Sequence, residues 1–134
     1  MSHATTVNGP AWIFKGAGIY GVLVLFPCYF CEGLIGRLVP PELNHPEMFY
    51  GLVGVGLAWQ IAFIIMGTDP VRYRPLMPAA MLEKFSYVGA LTVLYAKGRV
   101  PALLLGPGLG DLILGLLFVH AWIKTGSAGA KALA

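Results

Sequence analysis

Charge is what this 134-residue chain has least of: nine Lys and Arg with six Asp and Glu make 11% of its residues, where soluble proteins carry about a quarter. So few ionised groups cannot coat a water-facing surface, and nothing along the chain leaves room for a separate soluble domain. Catalytic groups are equally sparse. The three histidines, His3, His45 and His120, are widely separated, and no Ser-His-Asp, metal-helix or phosphate-loop pattern occurs. Gly106-Pro107-Gly108-Leu109-Gly110 lacks the flanking strand and the Lys-Ser/Thr of a phosphate loop, so close helix packing is its simpler reading. The only two cysteines are Cys28 and Cys31. No tandem repeat is visible. The net charge of +3 requires no nucleic acid, because basic residues beside anionic lipid headgroups account for it.

What fills the chain instead is oil-like sequence, 57% hydrophobic with a mean hydropathy of +0.75. Four predominantly apolar runs, at 16–39, 49–67, 79–95 and 101–123, are each long enough to cross a hydrocarbon layer of roughly 30 Å at about 1.5 Å per helical residue. Gly21 to Phe26 and Leu112 to Val119 are apolar around the whole helix circumference, which a soluble amphipathic helix is not. The prediction is an all-α fold, a four-helix transmembrane antiparallel up-down-up-down bundle. It forms one integral membrane domain over 1–134, with flexible ends at 1–10 and 125–134. The first run is longer than a signal-peptide core and no small-x-small cleavage site comes after it, so it is read as retained.

Proline and glycine punctuate the runs. Pro27 bends the first, Pro40-Pro41 ends it, and Pro46-Glu47 after Asn44-His45 starts the second. Trp12 and Phe14 read as an interfacial approach to the first span. Counting Lys and Arg near the span ends places Lys15, Arg72, Arg74, Lys84, Lys124 and Lys131 against Arg37, Lys97 and Arg99. The richer side is expected in the cytoplasm, and with it both termini of a multi-pass cell-membrane protein.

Ionisable groups within such runs cost several kcal/mol unless paired or hydrated, so each is a candidate for function. Asp111 is the foremost, sharing a helix face with Pro107, Gly108, Gly115 and Phe118. It is either a structural polar lock or a ligand- or proton-binding carboxyl. Lys84 is its expected partner, the alternative being a lysine that snorkels to the cytoplasmic surface. Glu83 is expected to face the headgroups or cap its helix. Gln60 comes to a similar depth, and Asp111, Lys84, Gln60 and Glu32 are grouped as a buried polar cluster. Arg72-Tyr73-Arg74 reads as a lipid-headgroup anchor or a partner-docking segment. Gly54, Ala58 and Ala62, like Gly106 and Gly110, form four-residue stripes along which another helix can approach.

Pro27-Cys28-Tyr29-Phe30-Cys31-Glu32 places two cysteines three apart on one helix face, suited to structural packing, to reversible disulfide chemistry or to soft-metal binding. Locally it resembles the proline-preceded Cys-x-x-Cys of quinone-linked membrane disulfide oxidases. That resemblance implies Cys28 and Cys31 passing electrons from partner thiols to a quinone. Against the family pattern, there is no second cysteine pair and Arg37 stands further away.

In span number, span length and glycine-rich fourth span, the chain resembles the small four-helix bacterial membrane proteins called DoxX-like, many without an assigned activity. The resemblance implies a bundle in the bacterial inner membrane and transfers no reaction. The leading expectation is therefore non-enzymatic: an oligomerising or accessory membrane subunit in contact with lipid and with copies of itself or a complex partner. The alternatives are thiol oxidation through Cys28 and Cys31, and transport of protons or a small solute past Glu32, Asp111, Lys84 and Gln60. A lipid or quinone is the only bound molecule expected.

Overall fold

The computed structural model describes residues 8–40 and 43–133, with side chains to Ser127. Among these residues the chain is all-helical, with five α-helices: α1 (Asn8–Leu25), α2 (Glu32–Leu38), α3 (Pro46–Met66), α4 (Met77–Ala96) and α5 (Leu105–Leu133). Three segments, Asn8–Phe30, Pro46–Met66 and Ala102–Ser127, are long and apolar enough to cross a membrane. The 20-residue α4 is not among them, because Glu83 and Lys84 interrupt its apolar run.

The first predicted span is two helices rather than one bent helix. Pro27 has no N–H to donate, and the chain responds by tightening into a 3₁₀ turn at Phe26–Phe30 and leaving helical geometry at Cys31. Helix α2 then restarts with Glu32 in its first turn and Arg37 in its last, both signs complementing the helix dipole. The helices reach into both segments expected to be flexible ends. Asn8–Pro10 already belong to α1 and Pro10 is buried, residues 1–7 lying outside the described part, while α5 continues unbroken through Leu133.

Pro46 and Glu47 occupy the first turn of α3, and Gly67 with Thr68 close it, the threonine hydroxyl donating to the Ile65 carbonyl at 2.6 Å. At the end of α4 the chain reverses through Gly98 at φ +66°, a left-handed conformation that glycine adopts without steric cost. The Gly98 and Arg99 amides donate back to the carbonyls of Tyr95 and Leu94, both at 2.9 Å, as a left-handed helix stop requires.

Helix α1 packs on α3, α4 packs on α5, and α1 joins the two pairs through α5; no comparable contact joins α3 to α4. One end of this arrangement is closed by aromatic rings. Phe14 stacks on Phe118 at 4.5 Å and 17°, and Phe63 meets Phe118 edge-on at 4.9 Å. All three are fully buried, together with Met66, Met77, Ala80 and Ala121. Phe14 is thus core, not an interfacial residue, whereas Trp12 stays 72% exposed.

The stripes expected to pack helices do so only in part: a Cβ on Gly54 would lie 3.2 Å from the Tyr29 hydroxyl and one on Gly110 3.6 Å from that of Tyr20. Ala58 is exposed, and a Cβ on Gly106 would meet nothing within 4 Å. The closest approaches lie elsewhere. A Cβ on Gly18 would fall 2.6 Å from Ile64 Cγ1 and one on Gly21 would overlap the Gln60 side chain, so these two glycines let α1 lie against α3. On α5, Gly108 receives Leu91 and Gly115 receives Phe85, which sets the register of α4.

Candidate functional site

Opposite Leu91 and Phe85, the register of α4 on α5 leaves Asp111 more than one turn, about 5.4 Å, along α5 from the level of Lys84. Only a long side chain spans that gap. Lys84 extends along α5 and places Nζ 3.0 Å from Asp111 Oδ1 and 3.1 Å from Glu83 Oε2, with the Phe63 ring centroid at 5.5 Å. Its side chain is 6% exposed and the two carboxylates are about one-quarter exposed, so the ammonium sits beneath its partners. Glu83 therefore turns to Lys84 instead of facing headgroups, although successive helix positions diverge by roughly 100°.

Gln60 approaches from α3. Its Nε2 donates to the Gly56 carbonyl at 3.1 Å, while Oε1 is buried against Gly21 with no hydrogen-bond donor among the described residues. Gln60, Glu83, Lys84 and Asp111 form the polar floor of a half-open cleft of about 540 Å³. Its walls are apolar and aromatic: Tyr20, Val24 and Leu25 of α1, Leu52, Val55 and Trp59 of α3, Tyr87 of α4 and Pro107 of α5. The rim is formed by Leu52 and Val55 on one side and Ser86 and Tyr87 on the other, all exposed, where α3 and α4 fail to meet.

Glu32 does not join this cluster. It accepts a 2.7 Å hydrogen bond from Tyr50, whose ring stacks on Tyr29 at 5.8 Å, and it lines a separate cavity of about 250 Å³ with Gly36, Arg37 and Leu43. Four grouped residues thus resolve into three that meet and one that stands apart.

Cys28 and Cys31 are free, partly buried thiols. The helix expected to present them on one face is broken between them: Cys28 lies in the 3₁₀ turn with Sγ donating to Val24 O at 3.4 Å, and Cys31 is the non-helical junction. Neither lines either cavity. Among the described residues no group of three or more His, Cys, Asp and Glu is placed to hold a metal ion.

The Arg72-Tyr73-Arg74 segment divides. Arg72 is exposed, with its own amide donating to Asp69 Oδ1 at 3.1 Å. Arg74 folds inward onto α5, donating from Nε to the Trp122 carbonyl at 3.2 Å with its guanidinium 4.5 Å from the indole centroid. Tyr73 packs against the aromatic core. Arg74 is thus a staple between the α3–α4 connector and α5.

Comparison with family models, with curated proteins and with solved structures finds no match for this chain. The cleft itself is therefore the guide to function.

Sequence reasoning singles out Asp111, Lys84 and Gln60 but misses Glu83 as their companion and misses the walls Tyr20, Trp59 and Tyr87. The one local signal is Trp59 beside Gln60 in a predominantly apolar run. The rest depends on how far α3 stands from α4.

Proposed function

We propose that this chain is an integral membrane protein that holds a small membrane-dissolved molecule in the cleft between α3 and α4, without catalysing a reaction on it. In this reading α1, α3, α4 and α5 cross the bilayer as an antiparallel up-down-up-down bundle whose ring is closed on three sides and open to lipid on the fourth. Leu23, Leu52, Leu82 and Ile123, each more than half exposed, support lipid as the surrounding solvent, since every helix of the bundle presents large apolar side chains outward. Both termini lie in the cytoplasm. Lys84, being paired within the cleft, no longer counts toward that assignment, but Lys15, Arg72, Arg74, Lys124 and Lys131 still outnumber Arg37, Lys97 and Arg99.

The observation that carries the proposal is a charged floor beneath apolar walls. Ionised groups held inside such helices are expensive, and a cleft of about 540 Å³ is in the range of roughly 300–1,000 Å³ that small-molecule sites occupy. Apolar walls with a few convergent polar groups orient an amphipathic guest.

The test is chemical extraction of the detergent-purified protein followed by mass spectrometry, wild type against Val55→Trp, which places a large side chain at the cleft mouth. A stoichiometric small molecule in the wild type that is depleted in the variant is the expected result. Equal content in both, or none in either, ends the proposal.

A further inference from the structure

We propose that the guest of this cleft is an organic ammonium ion, its positive head held by Glu83, Asp111 and the Gln60 carbonyl oxygen and its apolar body lying against Tyr20 and Trp59. The inference rests on the cleft-binding reading above and names the chemical class of the ligand.

Three independent observations converge on it. The first is formal charge: two carboxylates share one ammonium, so with both ionised the floor carries one negative charge in excess. No other wall compensates, because α1 and α3 contribute only tyrosine, glycine, aliphatic side chains, tryptophan and glutamine to the lining. The second is hydrogen-bonding capacity. Gln60 is 2% exposed, yet its Oε1 has no donor, and a buried amide oxygen in that position costs free energy until a donor reaches it. Lys84 cannot serve, since its Nζ is already directed at Glu83 and Asp111. The third is the wall chemistry. Aromatic faces attract cations, and tyrosine and tryptophan rings from α1, α3 and α4 all line the same cleft.

Together these favour a cation over the alternatives. An anion seeking Lys84 meets two carboxylates first, and a neutral apolar guest leaves both the excess charge and the Gln60 oxygen unanswered. A donor-bearing cation answers both at once.

Three probes of one shape separate these cases: 4-phenylbutylammonium, 4-phenylbutanol and 4-phenylbutanoate, titrated calorimetrically into the detergent-solubilised full chain. The ammonium is expected to bind at least about tenfold more tightly than the alcohol, a difference of about 1.4 kcal/mol, and the carboxylate most weakly. Asp111→Asn and Glu83→Gln, each of which cancels the excess charge, remove the preference for the ammonium over the alcohol. Lys84→Met, which increases the excess, retains or strengthens ammonium binding, an outcome that mere loss of structure would not produce. Val55→Trp abolishes binding of all probes and locates them in the cleft.

Equal affinity for ammonium and alcohol overturns the inference in favour of a neutral guest, and preference for the carboxylate overturns it in favour of an anion; both leave the cleft reading standing. Failure of all three probes, or ammonium binding undiminished in Val55→Trp, removes the cleft reading as well.

Discussion

Along α1, α3 and α5 the two halves of the molecule are made of similarly apolar sequence and behave differently. Around Phe14, Phe63 and Phe118 the helices close on one another with no exposed ring atom, and Arg74 ties the adjoining connector to α5 through Trp122. A few turns away, at Tyr20, Val55 and Pro107, the same helices border a cleft. Hydrophobicity does not distinguish the halves; the pairing of large with small side chains does. Three phenylalanines plug the closed half against Ala17, Ala80 and Ala121, whereas the open half sets Gln60, Glu83, Lys84 and Asp111 on the floor of a cleft. A tightly packed end holds the helices in register so that a costly polar group can be held at the other.

The contrast is most strongly tested by truncation in the closed half. Phe118→Ala is expected to cost about 3–5 kcal/mol, as for other large-to-small changes in filled cores, whereas Leu52→Ala on the cleft rim stays within about 0.5 kcal/mol. Unfolding in detergent measures both, and similar losses would erase the distinction between the halves.

Lys84→Met probes the cleft floor. Stranding two carboxylates is expected to cost about 2 kcal/mol, less than the roughly 3–5 kcal/mol of a fully enclosed pair because Glu83 and Asp111 are partly exposed. Adding Asp111→Asn should recover part of that loss. Strict additivity of the two changes would mean that the 3.0 Å pair does not couple them.

The smallest effect belongs to the staple. Arg74→Ala is expected to destabilise by about 0.5–1 kcal/mol, the scale of a partly exposed guanidinium over an indole, with a matching change in the intrinsic fluorescence of Trp122. An unchanged spectrum would detach the α3–α4 connector from the closed half.

Much of the fold is legible in the chain itself. The apolar runs specify helices, and Pro27, Pro46, Gly67 and Gly98 mark where helices stop or start, because backbone hydrogen bonding and steric preference act within a few residues. Two features escape such local reading. Pro27 by itself predicts only a bent helix, yet the chain beyond it forms a 3₁₀ turn and breaks at Cys31, and Glu32 on the far side of that break turns to Tyr50 instead of the central cluster. The small-residue stripe on α3 is legible as a pattern, but the pattern does not say which side of a helix has a neighbour.

Composition and periodicity alone pointed to helices apolar enough to cross a membrane and to ionisable groups inside them that call for explanation; that three helices, where four apolar runs were expected, are long and apolar enough emerged from the structure. Only the tertiary structure decided which of those groups meet. Lys84 and Asp111 are 27 positions apart, and their contact depends on Gly108 and Gly115 admitting Leu91 and Phe85 at one register and not the next. A helix period repeats every few residues, but a contact between helices is set by side-chain volumes on both of them, and that complementarity exists only once they are packed.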